Sequence, residues 1–158
     1  MLVLFVCFAN TCRSPMAEAV LNHLQSMKQL NWTVDSAGTS DMNAGRSPNP
    51  HTLAVLREHG LGSSHVSRQV RVEDFSNFDY ILAMDENNLS YLKRIAPEGC
   101  RAKVELLGEY RMDELDKIVV DPYGQGIEAY RRCYNQISLF CQNFIDQKVQ
   151  KLSEEGDL

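Results

Sequence analysis

The chain opens on an uninterrupted apolar run, Leu2-Val3-Leu4-Phe5-Val6. A run this short with no polar alternation is the pattern of a parallel strand covered on both faces. After a polar stretch, Ala17, Val20, Leu21 and Leu24 recur at helical spacing and predict an amphipathic helix. Its expected start is Ser14 as N-cap and Pro15 at the first helical position, where a missing N–H costs nothing. Trp32 to Ala37, Tyr80 to Met84 and Lys103 to Leu107 read as three further strands. Between them, one helix starts at Asn49-Pro50, carries Leu53, Leu56 and His59, and stops at Gly60. Another runs from Asp85 to Ile95 and ends ahead of Ala96-Pro97. In the last segment Ile127, Tyr130, Tyr134, Ile137, Cys141 and Phe144 share one stripe, which predicts a long helix packed along that face. Strands alternating with helices imply an α/β fold: a parallel sheet with helices on both faces. No repeat, low-complexity tract or linker divides the chain, so residues 1–152 are expected to form one domain and residues 153–158 a solvated tail.

Composition narrows the class. At 158 residues the chain is long enough to bury a real core. A net charge of -5 argues against nucleic acid or an anionic membrane as partner. The apolar stretch from Met1 to Ala9 has no basic flank and is too short to span a bilayer or serve as a signal peptide. Five cysteines without framework spacing fit a reducing compartment, so a cytoplasmic protein is expected. No Cys or His cluster has zinc-like spacing.

The candidate chemistry lies where the first strand meets the first helix, in Val6-Cys7-Phe8-Ala9-Asn10-Thr11-Cys12-Arg13-Ser14-Pro15. Cys and Arg six positions apart are a weak signal by themselves; their context is what counts. A loop opening onto a helix N-terminus turns free amides and the positive dipole end toward an anion. Arg13 and the helix start both favour the thiolate of Cys7 over the thiol. Cysteine, amide fan and bidentate cation together suit attack on a phosphoryl group. Asn10 tolerates the left-handed backbone that so tight a loop needs. In a parallel sheet ligands gather at the carboxyl ends of the strands. Asp121-Pro122-Tyr123-Gly124, after the apolar Ile118-Val119-Val120, is the best candidate there for an acid that donates a proton and then takes one from water.

These segments resemble the low-molecular-weight protein phosphatases. The likeness runs from Leu2 to about Ile145 and rests on the Cys loop with Arg13-Ser14-Pro15-Met16-Ala17-Glu18-Ala19, on Asp35-Ser36-Ala37-Gly38-Thr39, on Ser64-His65-Val66-Ser67-Arg68-Gln69, on Asp74 to Asp85, and on Asp121-Pro122-Tyr123. It implies a four-stranded parallel sheet and a phosphocysteine mechanism without metal or other cofactor. By that likeness Cys7 is the nucleophile, Arg13 clamps the phosphoryl oxygens, and Asp121 is general acid and then base. Ser14 would hydrogen-bond the thiolate, and Asn10, Ser36 and His65 would brace the loop. Phe8, Ala9, Asn10, Thr11, Cys12, Ser14, Met42 and Tyr123 are the expected substrate-binding residues. The expected partners are phosphorylated proteins, with inorganic phosphate as product and competitive inhibitor and the protein acting as a monomer.

Departures from the family pattern bear on substrate. Ala9 stands where its tyrosine phosphatases usually have Gly, Thr11 where they have Ile, Met42 at an aromatic wall position, and Gly124 where a second aromatic often follows Asp-Pro-Tyr. Thinner aromatic walls discriminate less for a phosphotyrosine ring. Thr11 within Asn-Thr-Cys-Arg-Ser-Pro-Met-Ala-Glu resembles the bacterial protein arginine phosphatases of the family, and Asp121 suits contact with a planar guanidinium. Phosphoarginine is therefore the favoured substrate and phosphotyrosine the alternative. Two more distant readings are an arsenate reductase, which would need resolving cysteines that residues 82–99 lack, and a catalytically inactive phosphate-binding module. Cys12 is either a redox partner that captures oxidised Cys7 or a packing residue.

Overall fold

A computed structural model describes residues 1–112 and 116–156. Four parallel strands, β1 (Leu2–Cys7), β2 (Thr33–Gly38), β3 (Tyr80–Ala83) and β4 (Lys103–Leu106), form one sheet in the order β2-β1-β3-β4. The helices are α1 (Arg13–Met27), α2 (Pro50–Glu58), α3 (Asp74–Asn77), α4 (Glu86–Ile95) and α5 (Ile127–Glu154). From β1 the chain crosses to β2 on one side and then returns past β1 to β3. The crevice where the order reverses, above the ends of β1 and β3, is where an open α/β sheet binds ligand.

The apolar run of β1 is buried on both faces for a reason of parity. Val3, Phe5 and Cys7 face the core made with α1 and α5, together with Met16, Leu21, Tyr130, Ile137, Phe140 and Phe144. Leu4 and Val6 face the opposite core, with Phe75, Ile81 and Leu92. On α5, Tyr130, Ile137, Cys141 and Phe144 of the expected stripe are buried, while Ile127 and Tyr134 pack partly buried against the same core.

Several boundaries differ from expectation. Helix α1 starts at Arg13 with Cys12 at its N-cap, so Ser14 and Pro15 are its second and third residues. The serine does not cap because its hydroxyl is engaged below the Cys7 sulfur. Pro15 remains harmless there, since no N–H in the first turn has an intrahelical partner. Helix α3 and the 3-10 turn Leu107–Tyr110 are too short for a hydrophobic period to reveal. Helix α5 continues through Ser153 and Glu154, the first two residues of the expected tail, where Gln150 Nε2 donates to Glu154 at 3.1 Å; Asp157 and Leu158 lie outside the described residues. Among the described residues no helix is long and apolar enough to cross a membrane.

Candidate active site

Cys7 is the last residue of β1 and Arg13 the first of α1, so strand and helix hold both ends of the intervening loop. The loop lies close against β2: a Cβ at Gly38 would stand 2.7 Å from the Phe8 carbonyl oxygen, so only glycine fits there. Asn10 adopts φ 59°, the left-handed conformation that asparagine tolerates. That turn carries its side chain away from the loop mouth and into the protein, where Nδ2 donates to Ser14 Oγ at 2.8 Å and to Ser36 Oγ at 3.0 Å. Its Oδ1 accepts from the Arg68 backbone N–H at 3.0 Å and meets His65 Nε2 at 2.7 Å. Ser67 Oγ donates to the Asn10 carbonyl at 2.6 Å. His65 is held in turn, with Nδ1 3.1 Å from Glu18 Oε1 and 3.6 Å from Asp35 Oδ1. Donor atoms of Glu18, Asp35 and His65 lie within 4.8 Å of one another, and these contacts bind the trio into a brace behind the loop.

Because Asn10 Nδ2 donates to Ser14 Oγ, the serine proton is free to point elsewhere. The Cys7 sulfur at 2.9 Å is much nearer than the Ala37 carbonyl at 3.4 Å. The Ser14 hydroxyl is thus placed to donate to the Cys7 sulfur.

Arg13 is 2 % exposed. Its Nη1 donates to Asp85 Oδ2 at 2.7 Å and to the Val119 carbonyl at 2.9 Å, and its Nη2 stands 3.7 Å from Asp121 Oδ2. Burial pulls its pKa down, but the charge of Cys7 and the carboxylates of Asp85 and Asp121 outweigh it and hold the guanidinium above its usual value. Nε is buried with no hydrogen-bond partner among the described residues. An orphaned charged donor is costly unless something accepts from it, and a phosphoryl oxygen in the loop is such an acceptor.

Asp121 stands in a tight turn, its Oδ1 accepting from the Tyr123 N–H at 3.1 Å, and its side chain is 49 % exposed. Cys7, Phe8, Ala9, Thr11, Cys12, Arg13, Met42, Asp121 and Tyr123 line one cavity of about 270 Å³, together with Asn43. Asn10 and Ser14, expected among the binding residues, do not line it: both are fully buried behind the loop, where their hydrogen bonds serve Cys7 and the loop backbone. Cys12 is also buried; its Sγ lies 3.5 Å from the Tyr130 hydroxyl, and burial pushes its thiol pKa up against the hydrogen bonds from Tyr130 and Thr11.

Sequence reasoning assigned no role to Asp85, Asn43, Glu18 or Arg68. Asp85 was legible only as a helix start. Glu18 stands one helical turn after Ser14 on the same face of α1, a spacing that marks the neighbour of a site residue. Nothing local marks Asn43.

The family model described as low molecular weight phosphotyrosine protein phosphatase matches residues 2–156. A Schizosaccharomyces pombe protein named low molecular weight phosphotyrosine protein phosphatase is 47 % identical over 146 residues, covering 90 % of this chain and 94 % of the relative. The solved structure of DARP, a Drosophila arginine phosphatase, superposes with a TM-score of 0.90 at 42 % identity over 94 % of this chain and 98 % of that one. A protein tyrosine phosphatase from Entamoeba histolytica gives a TM-score of 0.89 at 34 % identity, over 100 % of this chain and 99 % of the other.

Proposed function

The chain belongs to the low molecular weight phosphotyrosine protein phosphatase family, and we propose that it hydrolyses phosphorylated protein side chains through a phosphocysteine intermediate, with phosphoarginine the favoured substrate. One observation carries the chemistry: Cys7, Arg13 and Asp121 line the same cavity. The Cys7 thiolate attacks phosphorus while Arg13 and the loop amides hold the phosphoryl oxygens. Asp121 protonates the departing nitrogen or oxygen, so the P–N or P–O bond breaks as the S–P bond forms. Asp121 then takes a proton from water, which attacks the phosphocysteine and releases inorganic phosphate and the thiolate. The loop that holds the phosphoryl group also fits free phosphate, which makes the product a competitive inhibitor.

Thr11 supports phosphoarginine. Its backbone carbonyl is taken by the Asn49 N–H at 2.8 Å, and its Oγ1 meets only the Cys12 sulfur, at 3.8 Å, among the described residues. That hydroxyl is available to accept from a guanidinium N–H, and the half-exposed Asp121 carboxylate offers a second acceptor at the mouth. Similarity to the Drosophila arginine phosphatase points the same way. A phosphotyrosine reading draws on a different observation. Phe8, Met42 and Tyr123, 48 %, 64 % and 72 % exposed, still wall the cavity with apolar surface, and the family's description names phosphotyrosine.

The test is turnover of matched phosphoarginine and phosphotyrosine peptides by one preparation, with Cys7→Ser as control. The higher kcat/KM is expected for phosphoarginine, with no turnover by the control. Preference for phosphotyrosine would return the protein to the tyrosine phosphatases, and an active control would overturn the mechanism.

A further inference from the structure

The segment that carries Asp121 belongs to no helix or strand. One backbone bond ties it to the residue after β3, the Val119 N–H donating to the Met84 carbonyl at 3.0 Å, and its carbonyl oxygens are held by side chains. Gln136 Nε2 donates to the Ile118 carbonyl at 2.7 Å and to the Asp116 carbonyl at 3.0 Å. Arg13 Nη1 donates to the Val119 carbonyl at 2.9 Å, and Cys133 Sγ donates to the Val120 carbonyl at 3.2 Å. Three consecutive carbonyls leading into Asp121 are therefore each held by a different side chain. Two of the three come from α5, where Cys133 and Gln136 stand one turn apart and face the segment together.

Chemistry fixes the direction of both α5 contacts. A glutamine amide facing two carbonyl oxygens presents its nitrogen there, because its oxygen has nothing to accept. A thiol facing a carbonyl is the donor for the same reason. Cys133 is buried, and burial pushes its pKa up to about 12, so it keeps the proton it donates. A thiol so protonated is a poor nucleophile, which points to a structural use. At the other end of the segment the chain passes tightly against the 3-10 turn: a Cβ at Gly108 would fall 1.8 Å from the Lys117 carbonyl oxygen. Held at Lys117 and at three carbonyls, the segment has little freedom left before Asp121.

We propose that Gln136, assisted by Cys133, is a positioning residue for the general acid: α5 grips the carbonyls before Asp121 and so sets where its carboxylate stands in the active cavity. This inference rests on Asp121 acting as the acid. A misplaced acid leaves nucleophile and phosphoryl clamp intact, so its loss shows most where the leaving group most needs a proton.

The experiment measures kcat/KM across a series of aryl phosphates with phenols of rising pKa, for wild type, Gln136→Met and Asp121→Asn. The expected loss in Gln136→Met is below about 3-fold for a nitrophenol leaving group and grows to about 10- to 100-fold for an alkylphenol, less than the full range of about 100- to 10,000-fold for a general acid. In an Asp121→Asn background, Gln136→Met should cost nearly nothing further, as expected for residues that act as one unit. A loss equal across the series, or none, overturns the positioning role. Should Asp121→Asn itself show no dependence on the leaving group, the acid assignment fails instead. If Gln136→Met does not fold, Cys133→Ser and Cys133→Val decide: the serine keeps a donor and should lie near wild type, the valine should show the graded loss, and equal behaviour of the two overturns the inference.

Discussion

Asp85 divides its carboxylate between Arg13 and the start of α4. Oδ1 accepts from the Asn88 N–H at 2.8 Å as the helix cap, and Oδ2 accepts from Arg13 Nη1 at 2.7 Å. The start of α4 thereby aims the guanidinium proposed to hold the phosphoryl group. Asparagine caps a helix about as well as aspartate but gives a weaker, uncharged acceptor. We expect Asp85→Asn to leave stability within about 1 kcal/mol while lowering kcat/KM by roughly 10- to 100-fold, the worth of one charge-assisted hydrogen bond. Thermal melts and steady-state kinetics separate the two effects. Unchanged kinetics would mean that Arg13 is aimed by Val119 and the loop alone.

Thr11 is the substitution that tests substrate preference. An isoleucine there removes the hydroxyl as an acceptor and crowds the plane a guanidinium would occupy. The ratio of kcat/KM for phosphoarginine over phosphotyrosine peptides should fall by about 10- to 200-fold in Thr11→Ile, what contacts worth about 1 to 3 kcal/mol can give. A ratio that does not move would remove Thr11 from the account of specificity.

Cys12 sits in the same cavity as Cys7, as a buried thiol beside Tyr130. Peroxide is expected to convert Cys7 to a sulfenic acid; attack by the Cys12 sulfur, which must first lose the proton that burial helps it keep, then forms the disulfide and releases water. Mild peroxide should then inactivate the wild type, with recovery in a dithiol reductant, while Cys12→Ser should recover poorly because its sulfenic acid oxidises further. Full recovery of the variant would leave Cys12 a packing residue.

Asp79 ties the start of β1 to the other strands: Oδ2 accepts from the Leu2 N–H at 2.8 Å and Oδ1 from Arg101 at 2.7 Å. Burial pushes its carboxyl up, but those two donors outweigh it and hold the carboxyl below its ordinary value. A carboxyl lowered in the folded state stabilises fully above its unfolded value of about 3.9 and loses that contribution as pH falls through the lower folded value. The difference in stability between wild type and Asp79→Asn should therefore hold from neutral pH to about pH 5 and shrink below about pH 4. A difference that persists undiminished to pH 2 would show that the charge is not what Asp79 contributes.

Much of this arrangement was legible in the residues. The run Leu2 to Val6 has the pattern of a strand buried on both faces, which Val3 to Val6 are, and asparagine at position 10 suits the left-handed turn found there. The capping rule misplaces Ser14 because it knows only the backbone; the hydroxyl lies on a sulfur seven residues back, the contact that the family resemblance implies. The grip of Gln136 on Ile118 joins residues 18 apart, and that of Asp85 on Arg13 joins residues 72 apart. Neither has a local pattern, because each exists only once tertiary packing has brought the elements together.

The central claim is that Cys7 carries the phosphoryl group. The direct measurement is mass spectrometry of the tryptic peptide Met1 to Arg13 after acid quench during turnover of a phosphopeptide. One phosphoryl group is expected on Cys7, enriched in Asp121→Asn, where the water step is slowed, and absent in Cys7→Ala, which should not turn over. An unmodified peptide in both wild type and Asp121→Asn while turnover proceeds, or sustained turnover by Cys7→Ala, would contradict it.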